Sequence, residues 1–255
     1  TDNYRWMEDV KSPEVQSWFK NQSDYSHNVI DKIPHRKEFF NRMKEVQKMG
    51  GDSFETIQQR HNVYFYTKTK KNENLSKLYS RDLSTGKETL VFDPETLGKN
   101  TQITNFNVDS KAKKIAILLS KSGGEICTLR ILDLTTKKLL SDEIGAIWSE
   151  FAFEFTQDDK AIIYTKMSTA DPDSNMLLKD MKAMLHEIGT DAKTDKILAS
   201  REEYPELNAL TEQFTSIYFT DDYKYIVLTL SSVKSESPIF IAPYSELKNK
   251  KIKWK

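Results

Sequence analysis

One cysteine, Cys127, is all the thiol chemistry available to this chain of 255 residues. No internal disulfide can form, and a zinc cluster built on cysteines is excluded. Burial as a small apolar side chain is the expectation for such a lone thiol. Histidine is nearly as scarce: His27, His35, His61 and His186 never stand as His-x-x-His or His-x-x-x-His. No metal site and no cofactor are expected from them. Glycine is sparse enough, at 8 residues, for each to be checked. None belongs to a Gly-x-Ser-x-Gly elbow, a Gly-rich phosphate loop or a Gly-x-Gly-x-x-Gly turn. Net charge is absent, with 38 Lys and Arg against 38 Asp and Glu, which removes any bulk attraction to nucleic acid or an anionic membrane. No apolar run is long enough to span a bilayer, and no signal peptide is visible. The chain opens on Thr1-Asp2-Asn3-Tyr4 without an initiator Met, which reads as a trimmed start. The compartment, cytoplasm or periplasm, stays open.

What is present divides into two textures. Residues 1–53 read as a helical arm. Ser12 is a good N-cap, Pro13 sits at the first helical position where its missing N–H costs nothing, and Glu14 complements the helix dipole. Val15, Trp18, Phe19, Tyr25, Val29 and Ile30 then recur at helical spacings. Pro34 ends that helix or starts the next. A second amphipathic stretch carries Phe39, Phe40, Met43 and Val46 and stops at Gly50-Gly51. Both stripes require something to bury against.

Residues 54–255 change to short apolar runs broken by polar turns, the mark of a mainly β domain. A repeat appears there. Phe106 to Ile117, Phe153 to Tyr164 and Ile217 to Leu228 each read as a short strand, a polar turn, a Lys and a second apolar strand. A second hairpin follows: Lys77 to Phe92, Leu129 to Leu140, Met184 to Leu198, and a looser copy from Pro238 to Ile252. Asp82-Leu-Ser-Thr-Gly86-Lys87 supplies strong turn chemistry. Lys113, Lys160 and Lys224 lie 47 and 64 residues apart. Four strands every fifty-odd residues fit β-propeller blades better than a β-sandwich, and the absence of a Trp-Asp dipeptide argues against the WD40 type. About three to four blades are legible, the last breaking off at Lys253-Trp254-Lys255. That is either a small ring or the first part of a larger one.

No group of residues looks arranged for chemistry, and no catalytic residue is expected. Asp158-Asp159 and Asp221-Asp222 fall in the turn of their repeat units and read as turn residues. His186 and Glu187 lie in an expected strand, where neighbours point to opposite faces. The basic runs Lys68 to Lys71 and Lys248 to Lys251 read as solvated hairpin ends.

Several segments together resemble one family. Asp2-Asn3-Tyr4-Arg5-Trp6-Met7-Glu8-Asp9 is similar to the Asp-Pro-Tyr-Arg-Trp-Leu-Glu-Asp signature of prolyl oligopeptidases, with Asn3 for Pro and Met7 for Leu. Ser12-Pro13-Glu14-Val15 and Trp18 continue it, Asp93-Pro94-Glu95-Thr96-Leu97 resembles the family's Asp-Pro-Asn-x-Leu, and Ser122-Gly123-Gly124-Glu125 its Ser-Gly loop. The resemblance implies the N-terminal arm and a partial seven-bladed β-propeller of a serine endopeptidase that cleaves short peptides after proline. The propeller would gate access to an α/β-hydrolase domain of the same protein, whose Ser-Asp-His triad lies downstream of residue 255. The partners so implied are short proline-containing peptides and that hydrolase domain. By the same resemblance Trp148 and Phe214 are candidate substrate-cavity residues, and Glu125 a candidate domain-interface residue. Ser231-Ser232-Val233-Lys234 departs from the Arg- and Cys-bearing loop of mammalian members. A free-standing propeller serving as a protein-interaction scaffold, without peptidase activity, is the competing expectation, and a carbohydrate-binding propeller a weaker one.

Overall fold

The computed structural model describes residues 2–255, which divide into two units, one ending at Gly51 and one spanning Asp52–Lys255. The first unit is a 3₁₀ turn over Arg5–Glu8 followed by helices α1 (Pro13–Ile30) and α2 (Arg36–Met49). Ser12 Oγ accepts from the Val15 N–H at 3.3 Å, so the cap and the following proline start α1 as their chemistry dictates. Trp6 meets Trp18 edge-on with ring centroids 6.2 Å apart, and Trp18 contacts Phe19. Val15 is buried, but Phe19, Tyr25 and Val29 on α1 and Phe39, Phe40, Met43 and Val46 on α2 are exposed. The helical stripes exist, and this unit does not cover them. No helix among the described residues is long and apolar enough to cross a membrane.

The second unit is four antiparallel sheets, each a plain up-and-down meander. The first holds β1 (Ser53–Arg60), β2 (Val63–Thr69), β3 (Lys77–Asp82) and β4 (Glu88–Phe92). The second holds β5 (Thr101–Val108), β6 (Lys114–Lys121), β7 (Ile126–Asp133) and β8 (Lys138–Trp148). In the third are β9 (Phe153–Phe155), β10 (Ala161–Lys166), β11 (Lys182–Glu187) and β12 (Lys196–Ala199). The fourth has β13 (Phe214–Phe219), β14 (Tyr225–Ser231) and β15 (Ile239–Pro243). Lys255 exchanges both backbone hydrogen bonds with Ile241 at 3.0 Å, so the last residue already pairs alongside β15.

The cores lie between consecutive sheets, and the two-residue period of each strand divides its side chains between them. On β6, Ile115, Ile117 and Leu119 face the first sheet while Ala116 and Leu118 face the third. On β10, Ile162 and Tyr164 face the second sheet while Ala161 and Ile163 face the fourth. Central strands buried on both faces read as continuous apolar runs, and β6 and β10 do so. On β14, Ile226, Leu228 and Leu230 pack toward the third sheet. The opposite face of the fourth sheet leaves Tyr218, Tyr225, Ile239 and Ile241 exposed.

The turns follow one design. Asp82 accepts from the Ser84 and Thr85 amides, and Asp133 from the Thr136 amide, holding both carboxyls below the usual range through these bonds. Three further turns each close with an N–H donating to a carbonyl five residues on: Asp109 to Lys114, Thr156 to Ala161 and Thr220 to Tyr225. Their fourth residues, Ala112, Asp159 and Tyr223, all take left-handed φ, at 52°, 60° and 53°. The repeat of Lys113, Lys160 and Lys224 is the next position of this turn.

Polar side chains also cross between sheets. Gln58 on β1 donates to the Phe106 carbonyl at 2.8 Å and accepts from the Val108 amide at 3.1 Å. Asn107 on β5 donates to the Phe153 carbonyl, and Glu154 on β9 accepts from the Phe219 amide at 3.0 Å. Burial pushes the Glu154 carboxyl up, against the opposing pull of the Phe219 amide, with Asp221 adding to the rise. A raised acid favours the folded state below its unfolded pKa and loses that contribution as pH climbs through the folded one. Glu154→Gln keeps an acceptor without the charge. It is expected to raise stability at pH 7.5 by about 0.5–2 kcal/mol, the range of single stabilising substitutions. Melts at pH 4, where Glu154 is largely protonated in both states, should show the gain shrinking.

One expectation is corrected. Lys68 is not a solvated hairpin end. It is buried between Asp52 at 3.0 Å and Glu88 at 2.9 Å, with its ammonium over the Tyr79 ring. Alternation along β2 places it on the same face as Tyr66, which stacks on Tyr79, and hydrogen bonds to Glu88 and Asp52 hold its pKa above the ordinary value.

Candidate functional site

The loops leading into β5, β7, β9 and β13 lie at the same end of their strands, because each sheet is a meander of similar length. At that end a cavity of about 660 Å³ opens beside the second sheet. Its wall is apolar, from Leu97, Leu119, Ile126, Trp148, Pro172 and Leu177. Its rim is charged, from Lys121, Glu125, Arg130 and Glu143.

Local sequence explains each position. Ser122 and Gly123 take left-handed φ of 53° and 76°, and the Gly124 amide returns to the Lys121 carbonyl at 2.9 Å. This tight turn delivers Glu125 to the surface. Its carboxylate has no hydrogen bond or ion pair among the described residues, although its carbonyl accepts from Ser149 at 2.8 Å. Trp148 ends β8 opposite Ile126, and the chain then folds back through a Phe151 amide to Trp148 carbonyl bond at 3.0 Å. Trp148 is therefore half-buried, with part of its ring in the cavity wall. Arg130 is fully committed: it donates to the Asp142 and Leu140 carbonyls and pairs with Glu143 at 3.0 Å.

Two of the three candidate residues, Glu125 and Trp148, thus come together on one cavity. Phe214 stands apart from that cavity. At the start of β13 it pairs with Ser231 and contacts the Phe151 ring, centroids 6.2 Å apart. Pro172 and Leu177 were missed by sequence reasoning. They sit in the irregular segment between β10 and β11, which carries no periodic signal.

Chemistry of other kinds finds little footing. Among the described residues no three His, Cys, Asp or Glu side chains converge as a metal-holding group. The ring nitrogens of His186 face Asp142 and Asp195, with no hydroxyl or thiol bonded to the ring, so this is not a nucleophile–base pair. Cys127 is buried and burial raises its pKa, the condition of an unreactive thiol.

Consecutive antiparallel meanders, three of four strands and one of three, with a core between each neighbouring pair, are the architecture of β-propeller blades. The family model described as "Prolyl oligopeptidase, N-terminal beta-propeller domain" matches residues 1–254, and the chain belongs to that family. The prolyl endopeptidase of Elizabethkingia meningoseptica is 24% identical over 259 residues, covering 98% of this chain and 34% of that protein. Protease 2 of Moraxella lacunata is 21% identical over 249 residues, covering 93% and 34%. The chain spans about a third of the length of these relatives. Among solved structures, one from a structural and mechanistic study of two prolyl endopeptidases superposes with a TM-score of 0.81 at 24% identity, covering all of this chain and 36% of the other. Prolyl oligopeptidase B from Galerina marginata, bound to a 35mer hydrolysis and macrocyclization substrate, gives 0.81 at 18% identity, covering 100% and 38%. At these identities the structural likeness speaks for the fold.

Proposed function

We propose that this chain is the non-catalytic propeller region of a serine endopeptidase, and that it gates the access of short proline-containing peptides to a hydrolase domain of the same protein. The observation that carries this reading is the convergence of Trp148 and Glu125 on one cavity at the loop end of the blades. An aromatic wall suits the apolar part of a peptide, and an unpaired carboxylate at the rim suits a cationic group on an adjoining domain. The exposed stripes on α1 and α2 support the same view, since residues such as Phe39 and Met43 need a covering surface that an adjoining domain would supply. The uncovered face of the fourth sheet, with Tyr225 and Ile239, is suited to a following blade of a seven-bladed ring. Phe214 with Phe151 would line the approach nearer the third and fourth blades.

The test uses the endopeptidase read through from this chain. Trp148→Ala is expected to lower kcat/KM for a proline-containing octapeptide about tenfold, the loss of one aromatic contact, and to leave a minimal chromogenic prolyl substrate nearly unaffected. Equal loss on both substrates would remove Trp148 from the peptide path. Inhibitor-sensitive prolyl cleavage by residues 1–255 alone would overturn the non-catalytic assignment.

A further inference from the structure

The second and third blades meet at a buried imidazole. His186 on β11 places Nε2 2.9 Å from Asp142 Oδ1 on β8, and Nδ1 2.7 Å from Asp195 Oδ1 just ahead of β12. The side chains of all three are fully buried. Tyr164 on β10 donates its hydroxyl to Asp195 Oδ2 at 2.7 Å, and the Gly189 amide donates to Asp142 Oδ1 at 2.5 Å. Asp142 Oδ2 has no hydrogen-bond partner among the described residues. The titratable groups facing the ring are therefore Asp142 from the second blade, and Asp195 with its partner Tyr164 from the third.

A neutral imidazole carries one N–H and one lone pair. With a carboxylate oxygen against each ring nitrogen, the neutral ring would aim its lone pair at one of two buried anions. Only the imidazolium donates to both. We propose that His186 is a proton-operated clasp between the second and third blades, closed while the imidazolium bridges Asp142 and Asp195 and loosened when the proton leaves. The consequence reaches the cavity, because Asp142 lies on β8 beside Glu143 and the same strand ends in Trp148. Release of Asp142 frees the strand that carries one wall of that cavity. None of this depends on the peptidase reading.

Burial, the largest single influence on His186, disfavours its charge, and the hydrogen bonds to Asp195 and Asp142 outweigh it, so its pKa stands above the ordinary 6.5. A folded pKa raised above the unfolded one gives a contribution that is complete below about pH 6.5 and lost as pH rises through the folded value. The clasp therefore opens on the alkaline side.

The test is an NMR titration of the 255-residue chain. The His186 midpoint is expected above the ordinary histidine value of about 6.5. The protection factor of the Gly189 amide should fall about tenfold per pH unit between the ordinary histidine value and the His186 midpoint. His186→Gln, which does not titrate, should abolish that slope. If this variant fails to fold, the wild-type titration and Gly189 protection decide alone. A His186 midpoint at or below about 6.5, or a Gly189 protection independent of pH, overturns the proposal.

Discussion

Phe106→Ala is expected to cost about 3–5 kcal/mol of unfolding free energy, the range for emptying a large aromatic site in a close-packed core. Phe106 is 1% exposed on β5 and belongs to the core that Phe65, Leu78 and Phe92 of the first blade share with Ile115 and Ile117 of the second. Removing the ring leaves a cavity at a junction rather than within one sheet. The blades on either side are each tied to their own hydrogen-bond ladders and can collapse only partly into the gap. A loss of this size is a large part of the 5–15 kcal/mol available to a typical domain. Phe106→Leu keeps most of the volume and should cost less than about 1.5 kcal/mol. Urea titrations followed by tryptophan fluorescence would measure both. An alanine variant within 1 kcal/mol of the parent would mean that the first two blades do not share a core.

The second large effect is electrostatic. Asp159 is 3% exposed, although it sits in a turn, and it reaches back to the second blade. Its carboxylate accepts from the Ser110 amide at 2.9 Å and the Ser110 hydroxyl at 2.7 Å, and Lys111 lies 3.5 Å away. Bonds to a charged acceptor contribute about 1.5–3 kcal/mol, and left-handed backbone costs an ordinary L-residue about 1–2 kcal/mol, a conformation that Asn and Asp adopt more readily. Asp159→Ala should therefore destabilise by about 3–4 kcal/mol. Asp159→Asn, which tolerates the φ of 60° and retains one acceptor, should lose about half as much. Comparing the two by calorimetry separates the junction from the turn. Equal losses would assign the whole effect to the carboxylate's bonds with Ser110, whereas an Asn variant as stable as the parent would assign it to backbone conformation.

The same pair of residues marks the boundary of what sequence could disclose. The strands, the paired hairpins and the arm were legible because they are periodic: Lys113, Lys160 and Lys224 recur with the turn, and Ser12-Pro13 announces a helix. The junctions are carried by positions that differ at each copy. Ala112, Asp159 and Tyr223 share one slot, yet they read as noise in a repeat, and Asp158-Asp159 looked like paired turn residues. Asp158 is one, accepting from the Lys160 amide at 3.2 Å, while its neighbour leaves the turn for the preceding blade. His186 was read as an ordinary strand residue, since Asp142 is 44 positions away and nothing local links them. Lys68 was hidden inside a basic run, because burial between Asp52 and Glu88 depends on strands that meet only after folding. For the candidate site, Glu125 and Trp148 could be named from a resemblance, but their shared cavity depends on Pro172 and Leu177 in a segment without pattern.

The bonds from Gln58, Asn107 and Glu154 are addressed to main-chain groups of the following blade: the Phe106 carbonyl and Val108 amide, the Phe153 carbonyl and the Phe219 amide. Every residue type except proline offers both such groups, so the receiving strand is free to change its side chains without breaking the link. Two blades need not evolve in step. A duplicated blade would find its docking partners already present on whatever neighbour it met, and rings of this kind can lengthen by copying while their sequences drift apart.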